Sequence, residues 1–150
     1  MMKQICFLVL ILCYSCGYQP IYDIKFKNNL EFKEIIIGGN NNLTQRIIKA
    51  INLQKNSSNE LLDEIRINTE LIVEETSKNS KGQIISYRTT IKAEVKIIDK
   101  NKNLRSQKFS QNFSYNSKEN KFELINYQKE IENIILEKLI EEIALYLNLK

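Results

Sequence analysis

The chain has 150 residues, 43% of them apolar and 27% charged, with a formal net charge of +4. That is the length of one domain. Four Gly and one Pro exclude collagen-like and Pro/Gly-rich disordered classes, and the lack of any His excludes a His-dependent triad, a His-ligated metal centre and a Cys/His zinc finger. The small positive charge lacks the clustered footprint of a nucleic-acid binder, so no nucleic-acid partner is expected. The heavy use of Ile, Lys and Asn reads as coding bias, which makes Lys and Asn counts weak functional evidence.

Residues 1–15 read MMKQICFLVLILCYS. Lys3 gives a short basic start, and residues 5–14 form an apolar run of about ten. A spanning helix needs about 20, so the run fits a signal-peptide core instead. The chain is therefore expected to be exported. Cys16, between Ser15 and Gly17, ends this region in the manner of a bacterial lipobox, although Cys13 and Tyr14 stand where Leu and a small residue are usual. Cys16 is the expected lipidation site and first residue of the mature chain, the alternative being an ordinary cleaved signal with incidental cysteines. Cys6 and Cys13 would leave with the signal, so no thiol remains for a disulfide. At about 0.8 kcal/mol per buried CH₂, two or three acyl chains anchor firmly where one is marginal. Residues 16–29, with Pro20 favouring extended geometry, read as a tether, and 30–150 as the folded domain.

Within the domain, residues 30–37 (LEFKEIII) alternate as a strand, and Gly38-Gly39 with Asn40 to Asn42 end it. Asn41 or Asn42 can cap a helix with the stripe Leu43, Ile47, Ile48, Ile51, expected to run to residue 53 or 54, followed by a loop over 55–59. Residues 64–77 put Ile65, Ile67, Thr69, Leu71 and Val73 on one face. Residues 83–99 carry the cleanest two-residue alternation: Ile85, Tyr87, Thr89, Ile91, Ala93, Val95 and Ile97 against Ser86, Arg88, Thr90, Lys92, Glu94 and Lys96. After a polar turn over 99–103, residues 104–115 place Phe109, Phe113 and Tyr115 together. Residues 120–147 form a long amphipathic helix with the stripe Leu124, Tyr127, Ile131, Ile134, Ile135, Leu139, Ile143, Tyr146. One wet and one apolar sheet face implies an antiparallel meander. The expected fold is α+β: a two-layer sandwich with two helices on one face of a mostly antiparallel four-stranded sheet.

Catalytic chemistry is scarce. Ser86 and Lys92 form no recognisable Ser–Lys motif. Glu74-Glu75 and Glu141-Glu142 are adjacent in sequence and point apart, and Gly38-Gly39 lacks phosphate-loop spacing. No cofactor, no metal site and no enzymatic activity are expected. The polar constellation that stands out is Arg88, Lys92 and Lys96, a basic row roughly 26 Å long on one strand face, with Glu94 inside it. It is a candidate surface for phosphorylated glycolipid or for the polar wall of a partner, against the alternative of an ordinary solvated face.

The opening Cys16-Gly17-Tyr18-Gln19-Pro20-Ile21-Tyr22 resembles that of the lipopolysaccharide-assembly lipoproteins, the LptE family, in their alphaproteobacterial form. Asn42-Leu43-Thr44-Gln45-Arg46-Ile47-Ile48 is similar to that family's first helix, Tyr87-Arg88 to the start of its long strand, and Phe113-Ser114-Tyr115-Asn116 to the end of its last strand. The long C-terminal helix agrees as well, and the likeness runs over residues 16–150. It implies two helices on a four-stranded sheet and an outer-membrane lipoprotein on the periplasmic side, with Gly17 compatible with outer-membrane sorting. Further implications are a partner β-barrel of the LptD type, which the protein plugs and helps assemble, and contact with lipopolysaccharide. A generic periplasm-facing lipoprotein that binds another envelope protein or peptidoglycan is the alternative function.

Overall fold

The computed structural model describes residues 30–148. The expected signal peptide, the expected lipidation site Cys16 and the expected tether lie outside the described residues. In chain order the elements are β1 (Leu30–Phe32), β2 (Glu34–Gly39), α1 (Asn41–Ile51), β3 (Leu53–Lys55), β4 (Glu64–Lys78), β5 (Ile84–Ile98), β6 (Leu104–Asn116) and α2 (Lys121–Asn148). The expected α+β sandwich is present: a four-stranded sheet in the order β2-β4-β5-β6, with β2 parallel to β4 and the other pairs antiparallel.

The strand expected over 30–37 is two strands. Lys33 breaks it, its N–H donating to Asp63 O at 2.9 Å, and β1 leaves the main sheet to pair in parallel with β3. The first helix ends at Ile51, sooner than the expected residue 53 or 54. Asn52 adopts left-handed geometry (φ 57°) and donates its N–H back to Ile48 and Lys49 carbonyls, which closes the last turn. The next residue, Leu53, already belongs to β3.

At the other end of α1 the cap is Asn40 rather than the expected Asn41 or Asn42. Its Oδ1 accepts the Leu43 N–H at 3.2 Å. Its own N–H donates to Thr69 O at 2.8 Å, tying the helix start to β4. The buried Thr44 hydroxyl lies 3.1 Å from both Gly38 O and Asn40 O, and 2.8 Å from Thr69 Oγ1. Thr69 in turn donates to Asn40 O at 2.9 Å. Gly39 makes this corner possible: its φ is +68°, and a Cβ there would lie 2.0 Å from Thr69 O.

Both helices cover one face of the sheet. α1 buries Leu43, Ile47 and Ile51 over β2 and β4, and α2 lies over β5 and β6. The sheet answers with Ile65, Ile67, Ile91, Val95 and Ile97, all fully buried. Burial of each such side chain is worth about 1.5–3 kcal/mol. In α2 the buried series Ile131, Ile135, Leu139, Ile143, Leu147 steps by four, joined by Leu136 and Ala144. Each step of four advances 40° beyond a full turn, so the buried face rotates along the helix. That rotation leaves Ile134, expected in the stripe, largely exposed.

Aromatic rings close the sheet near the start of α2. Tyr87 stacks on Tyr115 at 5.9 Å, Tyr127 meets Tyr115 edge-on at 5.7 Å, and Tyr115 OH pairs with Thr89 Oγ1 at 3.0 Å. Beyond the reach of α1, Val73, Ile85 and Phe113 keep the expected face but stay partly exposed.

Candidate functional site

Among the described residues no element covers the face of the sheet turned away from the helices. Alternation along β5 puts Arg88, Lys92 and Lys96 there together, as their spacing requires. The register then supplies what spacing alone does not: the neighbours. Glu70 stands opposite Lys92, Glu74 opposite Arg88, and Lys108 opposite Glu94. Lys92 Nζ is 3.9 Å from Glu70 Oε2, and Lys96 Nζ is 2.9 Å from Glu94 Oε2. Arg88 Nε donates to Ser114 Oγ at 3.1 Å.

The basic row is thus one line of a checkerboard. Along the paired strands this face carries Glu34, Glu64, Glu70, Glu74 and Glu94 against Arg66, Arg88, Lys92, Lys96 and Lys108, so its charges balance. Thr90, Asn68 and the Ser and Asn residues of β6 fill positions between them, and Ile36, Ile72, Ile98 and Leu104 add apolar ones. Glu94 shows the local field. The hydrogen bond from Lys96, helped by the charges of Lys96 and Lys108, holds its carboxyl below the usual range against the opposing effect of desolvation. An open depression lined by Asn68, Glu70, Lys92, Ala93, Glu94, Lys108, Phe109 and Ser110 crosses the middle of the face.

The catalytic alternatives do not assemble. Ser86 lies six residues from Lys92 along β5, about 20 Å in a strand, and its hydroxyl pairs with Thr76 Oγ1 at 2.7 Å. Glu142 accepts a hydrogen bond from Gln111 at 2.6 Å, fastening α2 to β6 rather than facing Glu141. Among the described residues no group of three Asp, Glu or Cys side chains is placed to hold a metal ion, and no helix is long and apolar enough to cross a membrane.

Of the acidic half of the checkerboard, Glu94 alone was placed on this face from sequence. Glu70 and Glu74 do occupy alternate positions of the second long strand, but only the β4–β5 register sets them opposite Lys92 and Arg88. The signal that can find them is the length of the connecting turn. Asn79 closes it, with its Oδ1 accepting the Lys81 and Gln83 N–H groups at 3.0 Å.

Neither a protein-family model nor a curated protein matches the sequence. Solved structures do share the fold. An uncharacterized lipoprotein B from Nitrosomonas europaea matches with TM-score 0.57 and 10% identity, over 77% of this chain and 82% of that one. The rare lipoprotein B from Shewanella oneidensis matches with TM-score 0.51 and 13% identity, over 76% and 89%. A putative lipoprotein from Caulobacter crescentus matches with TM-score 0.51 and 11% identity, over 75% and 86%. This chain has the fold of those lipoproteins: two helices on one face of a four-stranded mixed sheet.

Proposed function

We propose that this chain is an outer-membrane lipoprotein of the LptE kind, anchored through Cys16 on the periplasmic side. In this reading it assembles with a large β-barrel of the LptD type and fills its lumen during lipopolysaccharide export, without catalysing a reaction. The observation that carries the reading is the uncovered sheet face, broad, hydrogen-bonding and charge-balanced. A barrel lumen is polar, and a plug for it needs such a wall and no pocket. The lipobox at Cys16 and the lipoprotein nature of the fold neighbours point the same way. Arg88, Lys92 and Lys96 are the candidate contacts, to barrel side chains or to lipid phosphates.

The test is affinity purification of the tagged chain from detergent-solubilised outer membrane. Recovery of one large barrel in one-to-one ratio is the expected result. Absence of a barrel, with co-sedimentation on peptidoglycan instead, overturns the reading in favour of a generic envelope lipoprotein. Anchoring is tested separately with Cys16→Ala, which should release the protein from membranes in a high-salt wash.

A further inference from the structure

β4 outruns its neighbour. β2 stops at Gly39, opposite Thr69, whereas β4 continues to Lys78. Thr69 turns its backbone toward β2, for its carbonyl accepts the Asn40 N–H at 2.8 Å. Backbone direction alternates along a strand. Leu71, Val73 and Glu75 therefore turn their N–H and C=O groups to the same side, where β2 no longer runs. β5 occupies the other side. Among the described residues no hydrogen bond from another element reaches these three from the open side.

The side chains around this bare edge have a definite character. α1 begins at Asn41 and is tied down at Thr69, so α1 does not cover β4 beyond that point. Leu71 is partly buried and Val73 is 50% exposed on the helix side, and Ile72 is partly buried on the other. Glu70 and Glu74 lie exposed on the open face, flanked on the β5 side by Lys92 at 3.9 Å and by Arg88 respectively, and Glu75 lies on the helix side. The one basic residue between positions 70 and 78 is Lys78, which Glu75 already engages at 3.1 Å. The opposite edge of the sheet, β6, has the reverse character: it carries Arg105 and Lys108 and no acidic residue.

An unpaired strand edge is a template for another strand. We propose that the upper edge of β4, residues 70–78, is a strand-docking site for an extended segment of a partner polypeptide that alternates apolar and basic residues. Such a segment lengthens the sheet along the line of β2. Its N–H and C=O groups pair with those of Leu71, Val73 and Glu75, its apolar side chains cover Leu71 and Val73, and its basic side chains meet Glu70 and Glu74. This inference is independent of lipidation and of lipopolysaccharide export.

The test uses the full chain, isotope-labelled in detergent micelles, with two capped synthetic peptides of equal length, one alternating Val and Lys and one alternating Val and Glu. The expected result is slowed amide exchange at Leu71, Val73 and Glu75 with the Val/Lys peptide. Its affinity should exceed that of the Val/Glu peptide about tenfold, as two favourable cross-strand charge pairs against two repulsive ones imply. Val73→Pro removes an outward N–H that the β5 ladder does not use, and should abolish binding. Glu70→Gln with Glu74→Gln leaves the backbone edge intact, and should keep binding while reducing the preference to about threefold or less. Protection at none of the three amides overturns the proposal. So does equal affinity for the two peptides, or unchanged binding by a folded Val73→Pro. If Val73→Pro does not fold, an unchanged preference in the double Gln variant overturns it instead.

Discussion

Replacing Gly39 by Ala tests the corner on which β2, α1 and β4 meet, with Gly82→Ala as its control. Both glycines have positive φ, +68° and +78°. At Gly82, in the β4–β5 turn, nothing lies within 4 Å of an added Cβ. Only the left-handed strain acts there, about 1–2 kcal/mol, partly offset by about 0.4–1 kcal/mol from a stiffer unfolded chain. A net loss of about 1 kcal/mol is expected. Gly39→Ala carries the same strain plus a methyl group 2.0 Å from Thr69 O and 2.9 Å from Thr69 N. These are backbone atoms, and Thr69 O already accepts the Asn40 N–H. Relief of the overlap breaks that bond or the β2–β4 pairing, at a further cost of about 1–3 kcal/mol per buried group left unpaired. The expected total is about 3 kcal/mol. In urea, with a slope of about 1.5 kcal/mol/M, the midpoint should fall by roughly 2 M for Gly39→Ala and by roughly 0.7 M for Gly82→Ala, with slopes unchanged. Midpoints that agree within error refute the account of this corner.

Thr69→Val removes the hydroxyl that donates to Asn40 O and pairs with Thr44. It should cost about 1–3 kcal/mol, read from the urea midpoint, and more than the same change at exposed Thr76. Leu139→Ala empties a fully buried position of α2 and should cost about 2–5 kcal/mol. A smaller loss would show that the helix closes over the gap. Asp99 holds the β5–β6 turn: hydrogen bonds from the Asn103 side chain and backbone, then from the Asn101 N–H, keep its carboxyl below the ordinary range. A depressed carboxyl stabilises fully above its unfolded pKa and loses that contribution as pH falls through the folded value. Melting temperature should therefore drop on acidification below the ordinary carboxylate range, and drop less steeply in Asp99→Asn, whose amide does not titrate.

The three long strands were readable because each keeps a two-residue rhythm for 13 to 15 residues. β1 and β3 were not. Each has three residues, too few to show a period, and they exist because residues 30–32 and 53–55 meet across α1. The parallel entry of β2 is likewise tertiary, set by a helix that returns the chain to the end of the sheet where it began. The cap fell at Asn40 rather than Asn41 or Asn42 because several adjacent Asn side chains can cap, and the bond to Thr69 selects among them. In α2 a fixed stripe captured Ile131, Ile135, Leu139 and Ile143 but missed Leu136, Ala144 and Leu147 as the contact face rotated. The basic trio of β5 was legible as a face. Glu70 and Glu74 opposite it were not, because they belong to a neighbouring strand whose register lies in the turn.

The balanced ledger of the open sheet face also bears on kinetics. Five carboxylates interleaved with five cations cancel within a few ångströms, so little field survives beyond the roughly 8 Å over which physiological salt already screens. A partner meeting this wall is not drawn in from a distance. Recognition starts at contact, and the encounter rate should stay near the unsteered range of about 10⁵–10⁶ M⁻¹s⁻¹ whatever the ionic strength.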